Sequence, residues 1–289
     1  WRARPAGRDR IVLPDGEHHA TLDTVAALVA EAAEVVPVAL DRVGRILVPV
    51  FADAVAQPGI ALATALVANN EVGTRNDAAG LAEAATAADV PLHLDAIGAF
   101  GHVAVSFRGW RAGARGPAGL VALSLSAHKL GGPVGVGALV VAREARLHPL
   151  VHGGGQQRAL RSGTQDAAGA AAFAVAAELA VAELSTESRR LEALRDRLVA
   201  GILVSVPDSE LLGDASRNAA CRNASRLGAA DQATPPASCG KTQFRQLCGL
   251  ARAGFAGNDQ HLVLLDQPDD LVGLERDRQR FIETNFRQA

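Results

Sequence analysis

The run Leu120-Val121-Ala122-Leu123-Ser124-Leu125-Ser126-Ala127-His128-Lys129-Leu130-Gly131-Gly132-Pro133 changes character at its midpoint. Residues 120–125 read as a buried strand; a serine, a histidine and a lysine follow at once, and glycine and proline then stop any regular element. The same punctuation recurs outward from this stretch. Residues 10–13 are apolar, end at Pro14 and lead into Gly16-Glu17-His18-His19. Residues 35–40 and 60–68 read as strands, the second running into Asn69-Asn70-Glu71-Val72-Gly73. Residues 91–95 form another, closing with His93-Leu94-Asp95, and residues 137–141 complete the set. Between them, residues 20–34 place Leu22, Val25, Leu28 and Val29 on one helical face, and Asn76 is expected to cap a helix through 81–88. Strands alternating with helices predict an α/β fold, a mainly parallel sheet with helices on both faces.

Beyond Gly163 the pattern is different. Residues 166–184 and 185–203 read as two consecutive helices, the second with Leu191, Leu194, Leu198 and Ile202 on one side and arginines on the other. Residues 217–241 show no helical or strand period, and the helix-like stretch 271–286 is mostly charged. The expected division is a partial large domain over 1–165, connecting helices and the start of a small domain over 166–213, and a divergent carboxyl-terminal region over 214–289. The chain has no methionine and begins at Trp1, as expected of a fragment or of a domain cut from something longer.

Composition narrows the function classes. A formal net charge of −2 gives no broad attraction for nucleic acid or an anionic membrane, and 3% aromatics is too few for a base-stacking platform. The most apolar stretch, 166–184, carries Glu178 and Glu183, which favours a buried alanine-rich helix over a membrane span. Residues 1–10 contain no apolar core of a signal peptide. Cys221, Cys239 and Cys248 form no Cys-x-x-Cys pair, so neither a disulfide framework nor a metal site is expected, and a reducing cytoplasm is.

Asn70, Asp95 and Lys129 each fall at or just past the carboxyl end of an expected strand, where the ligand crevice of an open α/β sheet lies. A lysine amine there can form a Schiff base with an aldehyde cofactor. An aspartate can keep a pyridine nitrogen protonated, imidazole can stack on the ring, and hydroxyls in turns can hold a phosphate. Asp95, Lys129, His18, Ser126 and Thr164 match those needs in residue type.

In its five polar segments the chain resembles the cysteine desulfurases, within the class V aminotransferase group of fold type I pyridoxal-phosphate enzymes. The resemblance covers residues 10 to about 212. Ser126-Ala127-His128-Lys129 and Arg161-Ser162-Gly163-Thr164 are its most specific parts. It implies pyridoxal 5'-phosphate as cofactor, with Lys129 holding it covalently and shuttling protons, and His18 stacked on the ring. It implies Asp95 on the pyridinium nitrogen and Asn70 near the phenolic oxygen or substrate. Ser126 and His128 would hold the phosphate, joined by Thr164 from the other subunit of a homodimer. The implied reaction takes sulfur from cysteine as an enzyme persulfide and releases alanine, in the service of iron–sulfur cluster assembly with a sulfur-acceptor protein. The alternative is a non-catalytic remnant that keeps a partial cofactor pocket and dimer surface.

Three departures from the family pattern favour impaired turnover. Gly98 stands where the family usually has a glutamine, three residues after the aspartate. The amino-terminal Gly-Ala-Thr phosphate turn has no counterpart. No Ser-Gly-Ser-Ala-Cys loop occurs, and the surroundings of Cys239 and Cys248 do not match it. Taken singly, the residues have plainer readings: His18 and His19 as an exposed pair at a helix start, Asp95 as a strand-end cap, Asn70 as a turn former, Cys248 as a structural thiol. His152-Gly153-Gly154-Gly155 would suit an esterase oxyanion hole, but no Gly-x-Ser-x-Gly elbow accompanies it. The glycines at 131–137 lack the dinucleotide spacing, and Gly240-Lys241-Thr242 lacks the first glycine of a phosphate loop.

Overall fold

The computed structural model describes residues 1–215 and, beyond them, the backbone of two strands at Leu227–Ala229 and His261–Leu265. In chain order the elements are β1 (Arg10–Pro14), α1 (His19–Ala30), β2 (Glu34–Val38), α2 (Val48–Val55), β3 (Ile60–Leu66), α3 (Ala78–Ala87), β4 (Pro91–Asp95), α4 (Phe107–Trp110), β5 (Gly119–Ser126) and β6 (Val136–Val141). Then follow α5 (Ala167–Ala182), α6 (Leu184–Ser205), β7 (Ser209–Leu211), β8 (Leu227–Ala229) and β9 (His261–Leu265).

The central sheet runs β2-β1-β3-β4-β5-β6-β9. β2 through β5 are parallel; β6 is antiparallel to β5, and β9 is parallel to β6. This is the expected α/β architecture. The antiparallel step has a simple cause: the link from Ser126 to Val136 is too short for a parallel crossover, which needs a dozen or more residues. The chain steps from β1 to β2 on one side and then returns to place β3 on the other side of β1. The strand order therefore reverses between β1 and β3, and a crevice opens at the carboxyl ends there.

Burial on both sheet faces follows from strand geometry. Successive residues of β1 point to opposite faces: Val12 enters the main core, while Ile11 packs with Val25 of α1 and with Ala33. On the main-core side α3 presents Ala78, Leu81, Ala82 and Ala85, all buried, and these small residues let the helix lie close against the sheet. At Gly119 the backbone adopts φ +66° and a Cβ would strike Thr86 Oγ1, so glycine is required where β5 passes under α3.

Several boundaries differ from expectation. α3 is capped by Asp77, whose Oδ1 accepts from Gly80 N–H at 3.0 Å. Asn76 instead accepts from Ile46 N–H (2.8 Å) and donates to Leu66 O (2.7 Å), tying two loops to the end of β3. β2 ends at Val38 and β3 at Leu66, each two residues early. α2 has no counterpart among the expected elements; its sequence, Val-Pro-Val-Phe-Ala-Asp-Ala-Val, is β-branched and apolar, with a proline tolerated at its first turn. The apolar side expected of α6 is present in sequence, yet Leu194 and Leu198 are 43% and 51% exposed. Within 217–241, expected to lack a period, residues 227–229 form β8; the stretch 271–286 and the three cysteines lie outside the described residues. Among the described residues no single helix is long and apolar enough to cross a membrane; α5 and α6 meet both conditions only together and are bent by 72°.

Candidate functional site

The carboxyl ends of β1, β3, β4 and β5 deliver most of the expected residues to one edge. His18 follows β1 as the N-cap of α1, its Nδ1 accepting from Ala20 N–H at 3.1 Å. Asn70 sits in the turn after β3, where its amide donates to Glu71 Oε1 at 3.3 Å. Asn69 holds that turn, accepting from the N–H groups of Glu71 and Val72 and donating to Gly16 O across the crevice at 3.0 Å. Asp95 is the last residue of β4. Ser126 ends β5, and His128 and Lys129 lie on the 3-10 turn that follows it.

Register brings the strand-end residues side by side. Asp95 pairs with Leu66 on β3 and with Ser124 on β5. Its carboxylate is 5% exposed; Oδ1 accepts from Ile97 N–H at 2.9 Å, and no described residue makes an ion pair with it. Ser126 is buried and its hydroxyl pairs with His128 Nδ1 at 2.8 Å. Lys129 is half-buried, and its carbonyl accepts from His102 Nε2 at 3.3 Å; His102 O in turn accepts from Ser188 Oγ on α6 at 2.9 Å. Among the described residues no hydrogen bond brings Thr164 to this edge. It is exposed on the loop that precedes α5.

Two titratable groups escaped the sequence reading. His93 bridges three strands: Nδ1 meets Thr64 Oγ1 at 2.9 Å and Nε2 meets Ser124 Oγ at 2.7 Å. Burial pushes its pKa below the usual imidazole value, opposed by the negative charge of Asp95. The imidazole is a neutral link between two hydroxyls. Glu17 is 6% exposed, and its Oε1 accepts from Leu66 N–H at 2.7 Å. Burial is the main cause of its pKa being pushed up to about 8; the Leu66 N–H opposes the shift and the charge of Asp95 adds to it. The signal in sequence was the glutamate itself, an acid placed between a buried strand and a helix start. Among the described residues no group of three or more His, Cys, Asp or Glu could hold a metal ion.

A buried carboxylate with no cation beside it, at the crevice edge and next to the strand that delivers a lysine, suits a ligand that brings its own positive charge. A protonated pyridine nitrogen is such a group, so the residues present fit pyridoxal phosphate in charge.

Comparison with known proteins agrees. The family model for aminotransferase class-V matches residues 1–232. The chain belongs to that family. Its similarity to an IscS-like cysteine desulfurase from Mycobacterium tuberculosis is 43% identity over 219 residues, 74% of this chain and 53% of that protein. A solved NifS-like protein superposes with a TM-score of 0.69 at 29% identity, covering 74% of this chain and 56% of that one. The structure of SspA in complex with cysteine superposes with a TM-score of 0.54 at 31% identity, over 59% of this chain and 47% of that one. The chain spans about half the length of the curated relatives it matches.

Proposed function

We propose that this chain carries the cofactor-binding part of a pyridoxal-phosphate cysteine desulfurase. Residues 1–165, whose sheet β9 extends, form the large domain, and 166–213 the connecting helices and the start of a small domain. The observation that carries the reading is the buried carboxylate of Asp95, which meets no cation among the described residues, beside the strand that leads into Lys129. When bound, pyridoxal phosphate supplies an electron-withdrawing ring that accepts the electrons of bonds broken at the substrate's α-carbon. Asp95 holds the pyridine nitrogen in its protonated form. Lys129 ties the cofactor down and moves protons to and from the substrate, and His18 covers the ring. Asn70 orients the phenolic oxygen or the substrate. The Ser126 hydroxyl and His128 bind the phosphate, with Thr164 reaching it from a second copy in a homodimer.

Cysteine as substrate, with alanine and an enzyme persulfide as products, is part of this proposal; similarity to desulfurases and to the solved relative described with cysteine supports it. A sulfur-acceptor protein, a role in iron–sulfur cluster assembly and a cytoplasmic setting belong to the same reading. One observation favours a remnant that binds without turnover. At Gly98 a Cβ would meet only Ala68 O, at 3.7 Å, so the side chain that the family resemblance places there is missing without being crowded out.

The test is the visible absorption spectrum of the purified chain with added pyridoxal phosphate, beside Lys129→Ala. A yellow protein-bound band present in the wild type and lost in the variant is the expected result. A band retained in Lys129→Ala, or absent from both, overturns the reading.

A further inference from the structure

The strand order reverses between β1 and β3, and there β1 stops at Pro14 while β3 continues to Leu66. The Leu66 N–H has thus outrun its neighbouring strand, and Glu17 reaches back from the loop to accept it at 2.7 Å. That bond uses one carboxyl oxygen. The other, Oε2, is fully buried and has no hydrogen-bond partner among the described residues. Leu66 is in register with Asp95, so two carboxyl groups lie at adjacent strand ends beneath the same crevice.

Burial with one oxygen unpartnered is the main reason that Glu17 resists ionisation, and the nearby charge of Asp95 adds to it. Asp95 ends its strand at the crevice and has the Ile97 N–H to support its charge, whereas Glu17 is walled in with one bond for two oxygens. Glu17 is therefore the member that holds the proton, in accord with the upward displacement of its pKa. The titratable groups on the elements around it are Asp15 on its own loop, Asp95 and His93 on β4, His18 and His19 at the start of α1, and Glu71 and Arg75 on the loop after β3. Of these, Asp95 is the one whose charge acts on Glu17.

We infer that Glu17 is a proton-linked positioning residue of the cofactor site, un-ionised while Asp95 stands alone and releasing its proton to solvent when a cation is seated on Asp95. The inference rests on the reading of Asp95 as the partner of a protonated pyridine nitrogen. Its logic is reciprocity: a positive charge on Asp95 favours an ionised Glu17, so ionised Glu17 favours the bound cation to the same extent. A carboxyl serving only to cap β3 would do neither, and Glu17→Gln preserves that cap because the amide oxygen still accepts the Leu66 N–H.

The experiment is titration calorimetry of pyridoxal phosphate into the full chain near pH 7.5, in buffers of different ionisation enthalpy, which counts the protons exchanged on binding. Wild type is expected to release more protons than Glu17→Gln, by a fraction of a proton per chain because burial still opposes ionisation, while both show the same bound-cofactor absorption band. Equal proton counts in the two proteins overturn the inference and leave the cofactor reading standing. No binding heat and no band in wild type would be the separate failure of that reading, and the inference would fall with it. Infrared spectroscopy of the wild type alone guards against a misfolded variant. The carbonyl stretch of an un-ionised carboxyl should be present near neutral pH in the cofactor-free chain and weaken when the cofactor binds; its absence from the cofactor-free chain also overturns the inference.

Discussion

Two polar clusters hold the same sheet and treat their charges in opposite ways. At one, Arg111 is 13% exposed and nearly saturated, with four of its five N–H groups bonded: Nη1 donates to Ala118 O (3.1 Å) and Leu120 O (2.7 Å), and Nη2 to Gly116 O (2.7 Å) and Glu144 Oε2 (3.0 Å). At the other, Glu17 and Asp95 are at least as deeply buried, yet among the described residues each accepts one backbone N–H and neither meets a cation. A buried ion surrounded by donors and acceptors stabilises a fold; a buried acid short of partners costs stability and persists where a ligand completes it. The contrast separates the part of this molecule that holds the entrance to β5 from the crevice edge at which the proposed site lies.

The largest effect is expected from breaking the saturated cluster. Arg111→Ala strips the carbonyls of Ala118 and Leu120 of their donor while they remain buried, at a cost of about 2–4 kcal/mol. Urea denaturation should show the loss as a lower midpoint, and the protein that remains folded should bind pyridoxal phosphate as before. A midpoint shift worth less than about 1 kcal/mol would mean that water replaces the guanidinium, and the contrast between the clusters would collapse.

The unsaturated cluster should behave in reverse, with stability limited by pH. The folded-state pKa of Glu17 is raised from 4.5 to about 8, so the native chain holds a proton that the unfolded chain loses in that interval. Stability therefore falls as pH rises through the window, by about 1–3 kcal/mol between pH 6 and pH 8 from this group alone. Glu17→Gln should flatten that slope and be the more stable protein at pH 8. Parallel wild-type and variant denaturation curves at every pH would remove Glu17 from the account.

Much of this arrangement was legible in the sequence, for identifiable reasons. β4 was read at its observed bounds because a short apolar run ending in aspartate has few alternatives, and β5 was one residue short at each end. The order of polar segments brought His18, Asn70, Asp95, Ser126, His128 and Lys129 to one edge, because a parallel sheet puts all carboxyl ends together. α2 was missed because Val48, Val50 and Val55 carry the residue type of a strand; the tertiary contacts of Phe51, Ala54 and Val55 override that preference. The cap of α3 was placed one residue early because Asn76 and Asp77 are equally good caps, and only the demand of Ile46 N–H and Leu66 O for an amide decides between them. The direction of β6 was available from the length of its link alone. Glu17 showed only as an acid between a buried strand and a helix start; nothing in Gly-Glu-His-His says that the glutamate turns inward to an orphaned strand N–H.

A smaller effect is expected at Asp95. Asp95→Asn removes the charge and keeps an oxygen for Ile97 N–H, so the chain should fold as well as wild type or slightly better. Cofactor affinity should drop about tenfold, the equivalent of losing roughly 1.4 kcal/mol, and any turnover of cysteine should slow because the ring nitrogen is no longer held protonated. Spectrophotometric titration measures the first and alanine release the second. Undiminished affinity in Asp95→Asn would make its burial a structural accident and the two clusters alike.

The smallest effect is the one that adds a contact. Gly98 is open, with Ala68 O at 3.7 Å the nearest atom to a built Cβ, and its backbone is not left-handed, so a side chain fits without strain. It lies three residues after Asp95, where the family resemblance expects a glutamine that hydrogen-bonds the cofactor. Gly98→Gln should therefore tighten pyridoxal phosphate binding by a factor of about two to five, the size of one hydrogen bond of about 0.5–1 kcal/mol net of side-chain ordering. The same titration used for Asp95→Asn reads it, with Gly98→Ala as the control that fills space without an amide. Tighter binding in Gly98→Gln alone would show that the crevice still fits the ligand and lacks a hydrogen bond. Equal affinities in wild type, Gly98→Ala and Gly98→Gln would mean that position 98 does not face the bound cofactor, and the under-partnered charge at Asp95 would have to recruit its ligand without help from that side.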